Sequence, residues 1–200
     1  VFMKIICIGD SHTYSFGIAR SQIWTKVAGD ILKEEIINKG ISGDTSSGML
    51  SRFNKDVVEE KAEIVHIMGG TNDFIMECDL GVVRANIMAL VHQAVYNGIM
   101  PVIGIPIKIS PENVREDWAR FTDFNEVARK VDEYRKWILK FCETFNVKYI
   151  DYYDILPRVS FEKGIYQLYF DGLHLTKEGN QLFGEIFAQE FKKLFINSTL

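Results

Sequence analysis

Apolar and polar positions along this chain follow two rhythms. Short apolar runs rich in β-branched residues recur at positions 4–8, 35–38, 63–68, 101–106 and 147–151. Such runs suit strands buried on both faces. Between them the apolar residues fall three and four apart, the spacing of one helical face. Trp24, Val27, Ala28, Ile31 and Leu32 mark a helix over 24–35, and Met49, Leu50, Phe53, Val57 and Val58 mark the next, with Asp44 or Thr45 as its cap. Val83, Ile87, Leu90, Val91 and Ala94 predict a helix over 81–97 that Gly98 stops. The longest pattern opens at Asp123 and carries Val127, Val131, Tyr134, Ile138, Phe141 and Phe145. A last helix from Lys177 buries Leu182, Phe183, Ile186, Phe187, Phe191 and Leu194. Residues 108–120 lack periodicity and read as a long excursion, and a connecting region leads from the fifth strand to Asp171.

Strands alternating with helices imply a parallel sheet covered on both faces. Five strands predict a flavodoxin-like α/β/α sandwich in the order 2-1-3-4-5. The 200 residues suit one domain, and the sequence carries no repeat, linker or low-complexity tract.

Composition narrows the function classes. With 47% hydrophobic and 25% charged residues the chain is of ordinary globular type. A net charge of −4 without a basic cluster argues against nucleic acid as a partner. No run is long enough for a membrane span, and the first apolar segment leads straight into the fold instead of forming a signal peptide. Cys7, Cys78 and Cys142 are widely spaced and form no CxxC pair, so reduced thiols and a cytoplasmic location are expected. No histidine pair has metal-ligand spacing, and no metal or cofactor is expected. Residues 43–48 begin like a phosphate-binding loop, but Met49-Leu50 stands where Lys-Ser/Thr is required. The GxSxG elbow of the α/β-hydrolases is absent. Asn197-Ser198-Thr199 fits a glycosylation acceptor only formally.

Chemistry gathers where the strands end, the edge at which open parallel sheets bind ligands. Gly9-Asp10-Ser11 follows the first strand, Gly43 the second and Asn72 the third, while Asp171 and His174 lie just before the last helix. A serine hydroxyl becomes a useful nucleophile when an imidazole accepts its proton, and a carboxylate holds that imidazole in the right tautomer. The Ser11 and Gly43 N–H groups and the Asn72 amide are candidate donors to the oxyanion of a tetrahedral intermediate. Each residue alone has a plainer reading: Ser11 as a helix cap, His174 as a surface residue, Gly43 as a turn glycine, Asn72 as a local backbone partner. Asp10 and Asp73 read as structural, His66 as a hydrogen-bonded core residue and His92 as solvated. His12, Phe74, Ile75 and Trp118 are candidate substrate contacts, and residues 107–121 a candidate lid or pocket wall.

Taken together, Gly9-Asp10-Ser11, Gly43, Gly70-Thr71-Asn72-Asp73 and Asp171-Gly172-Leu173-His174 resemble the signature blocks of the GDSL/SGNH hydrolases, esterases and lipases of flavodoxin-like fold. The blocks occur in the family's order and span residues 9 to 174. The resemblance implies Ser11 as nucleophile, His174 as base, Asp171 as its orienting partner, and Ser11, Gly43 and Asn72 as the oxyanion hole. His12 departs from the family pattern, in which leucine usually follows the serine. The expected reaction is hydrolysis of carboxylic esters through an acyl-enzyme. A small acyl group on a soluble alcohol or sugar is favoured over a long lipid chain, because no extended amphipathic helix offers a lipid interface. Lysophospholipase, thioesterase or acyltransferase activity uses the same residues, and a non-catalytic flavodoxin-like binding module is the reading from another class.

Overall fold

The computed structural model describes residues 3–195; the Asn197-Ser198-Thr199 tripeptide lies outside them. Strands β1 (Lys4–Gly9), β2 (Glu35–Gly40), β3 (Ile64–Met68), β4 (Met100–Ile105) and β5 (Lys148–Asp151) form one five-stranded parallel sheet. Its order is β2-β1-β3-β4-β5, as the alternation of strands and helices predicts. In register, Cys7 of β1 lies between Asn38 and His66.

The strands divide their side chains between two cores, as the period of two requires. Ile6, Ile8, Val65, Ile67, Ile103 and Ile105 enter one core. Ile5, Cys7, Ile64, Met68 and Val102 enter the other. The helices in chain order are α1 (Ser11–Tyr14), α2 (Trp24–Leu32), α3 (Ser46–Phe53), α4 (Thr71–Ile75), α5 (Leu80–Tyr96), α6 (Glu116–Phe121), α7 (Phe124–Phe145), α8 (Tyr152–Glu162) and α9 (Lys177–Phe195). Helices α3, α5 and α7 cover the first core, and α2, α8 and α9 the second.

Caps begin several helices where the residue types demand. Thr45, Asp79 and Asp123 each accept a backbone N–H at the head of α3, α5 and α7. In the second core Trp24 packs edge-on against Phe183 and tilted against Phe187, with ring centroids 5.1 and 5.2 Å apart. Burial of each such ring contributes roughly 1.5–3 kcal/mol. His66 sits among these rings with its Nε2 3.1 Å from the Tyr152 hydroxyl, while His92 is exposed.

Three expectations need correction. The region after β5 contains α8, which the sequence hides in two ways. Pro157 lies inside the helix, where proline usually reads as a break. In addition, the strand passes into the helix without a loop, because Asp151 both ends β5 and accepts the N–H of Asp154 at 3.4 Å. Phe145, placed on the buried face of α7, is 57% exposed. The helix is about 33 Å long by its rise per residue and outruns the sheet it covers. The supposed excursion at 108–120 contains α6 and a 3-10 turn at Pro111–Asn113, both too short to show a period.

Candidate active site

The site is built on the C-terminal edge of the sheet. β1 ends at Gly9, and the chain turns at once into α1, so that Ser11 is its first residue. Asp10 is 1% exposed and accepts the His12 N–H at 2.9 Å, which caps that short helix. Burial pushes the Asp10 carboxyl up from its ordinary pKa. Gly9 is glycine for want of room: a Cβ there would lie 2.2 Å from Thr13 Oγ1 and 2.3 Å from the Met68 carbonyl oxygen. A larger residue would lift α1 off the strand end and Ser11 with it.

From the far end of the chain, Asp171 and His174 reach the same place. Asp171 Oδ1 accepts the backbone N–H groups of Leu173 at 3.0 Å and His174 at 2.7 Å. Its Oδ2 lies 2.7 Å from His174 Nδ1, and His174 Nε2 lies 2.9 Å from Ser11 Oγ. Since a carboxylate only accepts, the hydrogen on Nδ1 points to Asp171 and Nε2 is left to accept from the serine hydroxyl. Burial works most strongly against charge on Asp171, yet the hydrogen bonds from the His174 ring and the two N–H groups hold its carboxyl below the usual range. Burial, reinforced by the nearby His12, lowers His174 below the ordinary histidine value despite the opposing pull of Asp171.

The loops after β2 and β3 supply donors. Gly43 has φ +80°, a left-handed conformation that glycine adopts without strain. A Cβ on it would meet nothing within 4 Å, so its backbone is open to the cleft. Asn72 Nδ2 donates one hydrogen to the Asp44 carbonyl at 2.9 Å. Its second amide hydrogen is not used by that bond. Asn72 therefore does hold local backbone, and it still lines the cleft.

Arg52 of α3 ties these loops together. Its guanidinium donates to the carbonyls of Lys39 (2.7 Å) and Gly9 (3.0 Å) and to the carboxylates of Asp44 (2.9 Å) and Asp56 (2.8 Å). One side chain thus fixes the end of β1 against the loop that carries Gly43. Asp73 plays a similar part, accepting the Ser46 N–H at 2.8 Å and the Ser46 hydroxyl at 2.6 Å. Asp10 and Asp73 both accept backbone N–H groups at the loops, the placement the sequence suggests.

A cleft of about 250 Å³ opens over these groups. Ser11, His12, Gly43, Asn72, Asp171 and His174 line it, with Ile75 and Trp118 forming part of an apolar wall. Val114 and Arg115 also line it, so the 107–121 segment does border the cleft. Phe74 does not: it is 1% exposed and packs edge-on against Tyr134 in the core, 5.6 Å between centroids. On the short α4 it faces the sheet while Ile75 faces the cleft. Two residues of the site carry no signal in the sequence: Phe16, which lies 4.6 Å from the His174 ring, and Arg52, whose role rests on contacts with two strands, a loop and the helical turn after α3. No local pattern marks either.

Among the described residues no group of histidine, cysteine and acidic side chains is arranged to hold a metal, and no helix is long and apolar enough to cross a membrane. The family model for GDSL-like lipases and acylhydrolases matches residues 7–182. The chain belongs to that family. Among curated relatives, an esterase named TesA from Pseudomonas aeruginosa is 30% identical over 95 residues, covering 45% of this chain and 47% of that protein. That match spans about half of the relative's length. Acetylxylan esterase from Geobacillus stearothermophilus is 24% identical over 94% of this chain and 93% of its own. Among solved structures, Est24, a carbohydrate acetylesterase from Sinorhizobium meliloti, superposes with a TM-score of 0.80 at 20% identity, covering 96% of this chain and 100% of that one. At that identity the last likeness speaks for the shared fold. Membership of this family places the chain among GDSL-like esterases and acylhydrolases.

Proposed function

We propose that this GDSL-like enzyme hydrolyses esters of short acyl groups by a serine mechanism, residues 3–195 acting as one domain. The continuous run Ser11 Oγ–His174 Nε2 (2.9 Å) and His174 Nδ1–Asp171 Oδ2 (2.7 Å) carries the reading. Ser11 Oγ attacks the ester carbonyl carbon as its proton passes to His174 Nε2. The carbonyl electrons move onto oxygen, which the Ser11 N–H, the Gly43 N–H and the Asn72 amide receive. Collapse of this intermediate breaks the bond to the alcohol, which takes the proton from Nε2. Water then adds its oxygen to the acyl carbon of the acyl-Ser11 ester as its proton passes to Nε2; collapse breaks the bond to Ser11 Oγ, which takes that proton back from Nε2, and the acid leaves. Asp171 keeps His174 in the required tautomer and stabilises its cation.

The cleft favours a modest acyl group. About 250 Å³ bordered by Ile75, Val114 and Trp118 suits a short chain. The acetylxylan esterase relative is named for an acetyl group on a sugar, and we place this chain's substrates in the same class of small acyl esters. Turnover of p-nitrophenyl acetate and p-nitrophenyl decanoate by the wild type and Ser11→Ala tests both parts. The acetate should be the better substrate, and Ser11→Ala should lose at least about 10³-fold in kcat. Hydrolysis that survives in the variant removes Ser11 as nucleophile; a preference for decanoate removes the short-acyl assignment.

A further inference from the structure

The residue after the serine is a histidine, and its surroundings give it work. His12 is 9% exposed, and its Nε2 lies 3.0 Å from the Leu173 carbonyl oxygen. That oxygen can only accept, so His12 carries its hydrogen on Nε2 and donates it. Its Nδ1 is buried without a hydrogen-bond partner among the described residues, 3.6 Å from Asp10 Oδ1. The backbone of His12 is fixed independently, its N–H by Asp10 and its carbonyl by the Trp24 indole N–H at 3.0 Å. The ring is thus a rigid arm rooted beside Ser11 that grips the residue beside His174.

Two links therefore join two short segments drawn from opposite ends of the sequence. Ser11 bonds to His174, and the next residue, His12, bonds to the one before it, Leu173. The first link is transient in the proposed cycle. Once Ser11 is acylated and the alcohol has left with the proton, neither Ser11 Oγ nor His174 Nε2 carries a hydrogen, and nothing bonds them. The base must nevertheless stay in place to activate water. Asp171 does not secure it alone, because Asp171 rides on the same loop as His174 and would move with it.

We propose that His12 is a positioning residue that holds the Asp171–His174 loop in register while Ser11 is acylated. Its loss should slow deacylation more than acylation. The inference rests on the serine mechanism proposed above. A leucine at this position, the residue usual in the family, cannot donate to Leu173, whereas the amide of glutamine can place an N–H near the site of Nε2.

The test uses His12→Leu and His12→Gln with p-nitrophenyl acetate in stopped flow, beside labelling by a fluorophosphonate that reports only attack by Ser11. For His12→Leu the expected result is near-normal labelling, a p-nitrophenol burst of about one per enzyme, and a steady-state rate lower by about tenfold or more. His12→Gln should recover most of that rate, and both variants should melt cooperatively. A steady-state rate in His12→Leu within about twofold of wild type, or equal loss of labelling and turnover in both variants, would overturn the tether. Wild-type enzyme that the fluorophosphonate fails to label at Ser11 would instead overturn the serine mechanism itself.

Discussion

At the scale of single residues, the site depends on which groups carry hydrogen. His174 can accept from Ser11 only when its ring is neutral. Burial first, and the neighbouring His12 second, lower its pKa from 6.5. The neutral form therefore already prevails at pH 7, and activity is lost as pH falls through a midpoint below about 6.5. A profile of kcat/KM between pH 4.5 and 8.5 checks this. The expected curve is flat above pH 7 with one acid limb, and a limb centred above pH 7 would contradict the assignment. The sequence displayed these titrating groups clearly, since Asp171 and His174 stand three apart and Ser11 follows a strand. It could not display which ring nitrogen faces which partner, nor that one Asn72 hydrogen is already held by Asp44. Those are matters of angle and distance, fixed only when distant loops meet.

Among elements, the legible ones were those that bury a regular face. All five strands and the helices α2, α3, α5, α7 and α9 announced themselves by period. Elements that are short, or held by polar contacts, did not. Helix α8 is the clearest case, because its start depends on Asp151 and its interior contains Pro157. Asp151 also accepts a forked pair from Arg135 of α7, with Nη2 at 2.7 Å and Nε at 3.1 Å from Oδ2. One carboxylate therefore ends a strand, begins a helix and fastens a third element. Asp151→Ala should cost about 1.5–3 kcal/mol, the range for hydrogen bonds to a charged group, and lower the urea midpoint without changing the burst from Ser11. A change below about 0.5 kcal/mol, the range of an ordinary surface substitution, would show that α8 does not rely on this junction.

For the whole molecule, the two cores respond differently to acid. His66 lies in the α2–α9 core, where burial pushes its pKa down to about 3 from 6.5. In the unfolded chain it takes up a proton near its ordinary value. Between about pH 6.5 and 3 the unfolded state therefore binds more protons, so stability declines as pH falls through this window. The slope from this one group reaches about 1.4 kcal/mol per pH unit. Urea denaturation of wild type and His66→Phe at pH 7, 5.5 and 4.5 should show a shallower acid decline in the variant. Parallel curves would mean that His66 does not set the acid limit. That a histidine lay in the core was readable from its place in an apolar run. Its partner, the Tyr152 hydroxyl at 3.1 Å, was not, because Tyr152 opens the helix that the sequence concealed.

The interior position of β1 has a consequence for how the molecule comes into being. β1 precedes both of its neighbours in sequence and lies inside the sheet, with β2 on one side and β3 on the other. The earliest segment can therefore settle among its neighbours while synthesis continues. Ser11 would then be in place before its hydrogen-bond partners, because Asp171 and His174 lie just ahead of α9, which packs against α2. A nascent chain would hold Ser11 without its histidine partner until α9 docks. On the serine mechanism proposed above, the onset of esterase activity during translation should therefore coincide with docking of α9 and not with formation of the sheet, making catalysis itself a clock for the folding of this domain.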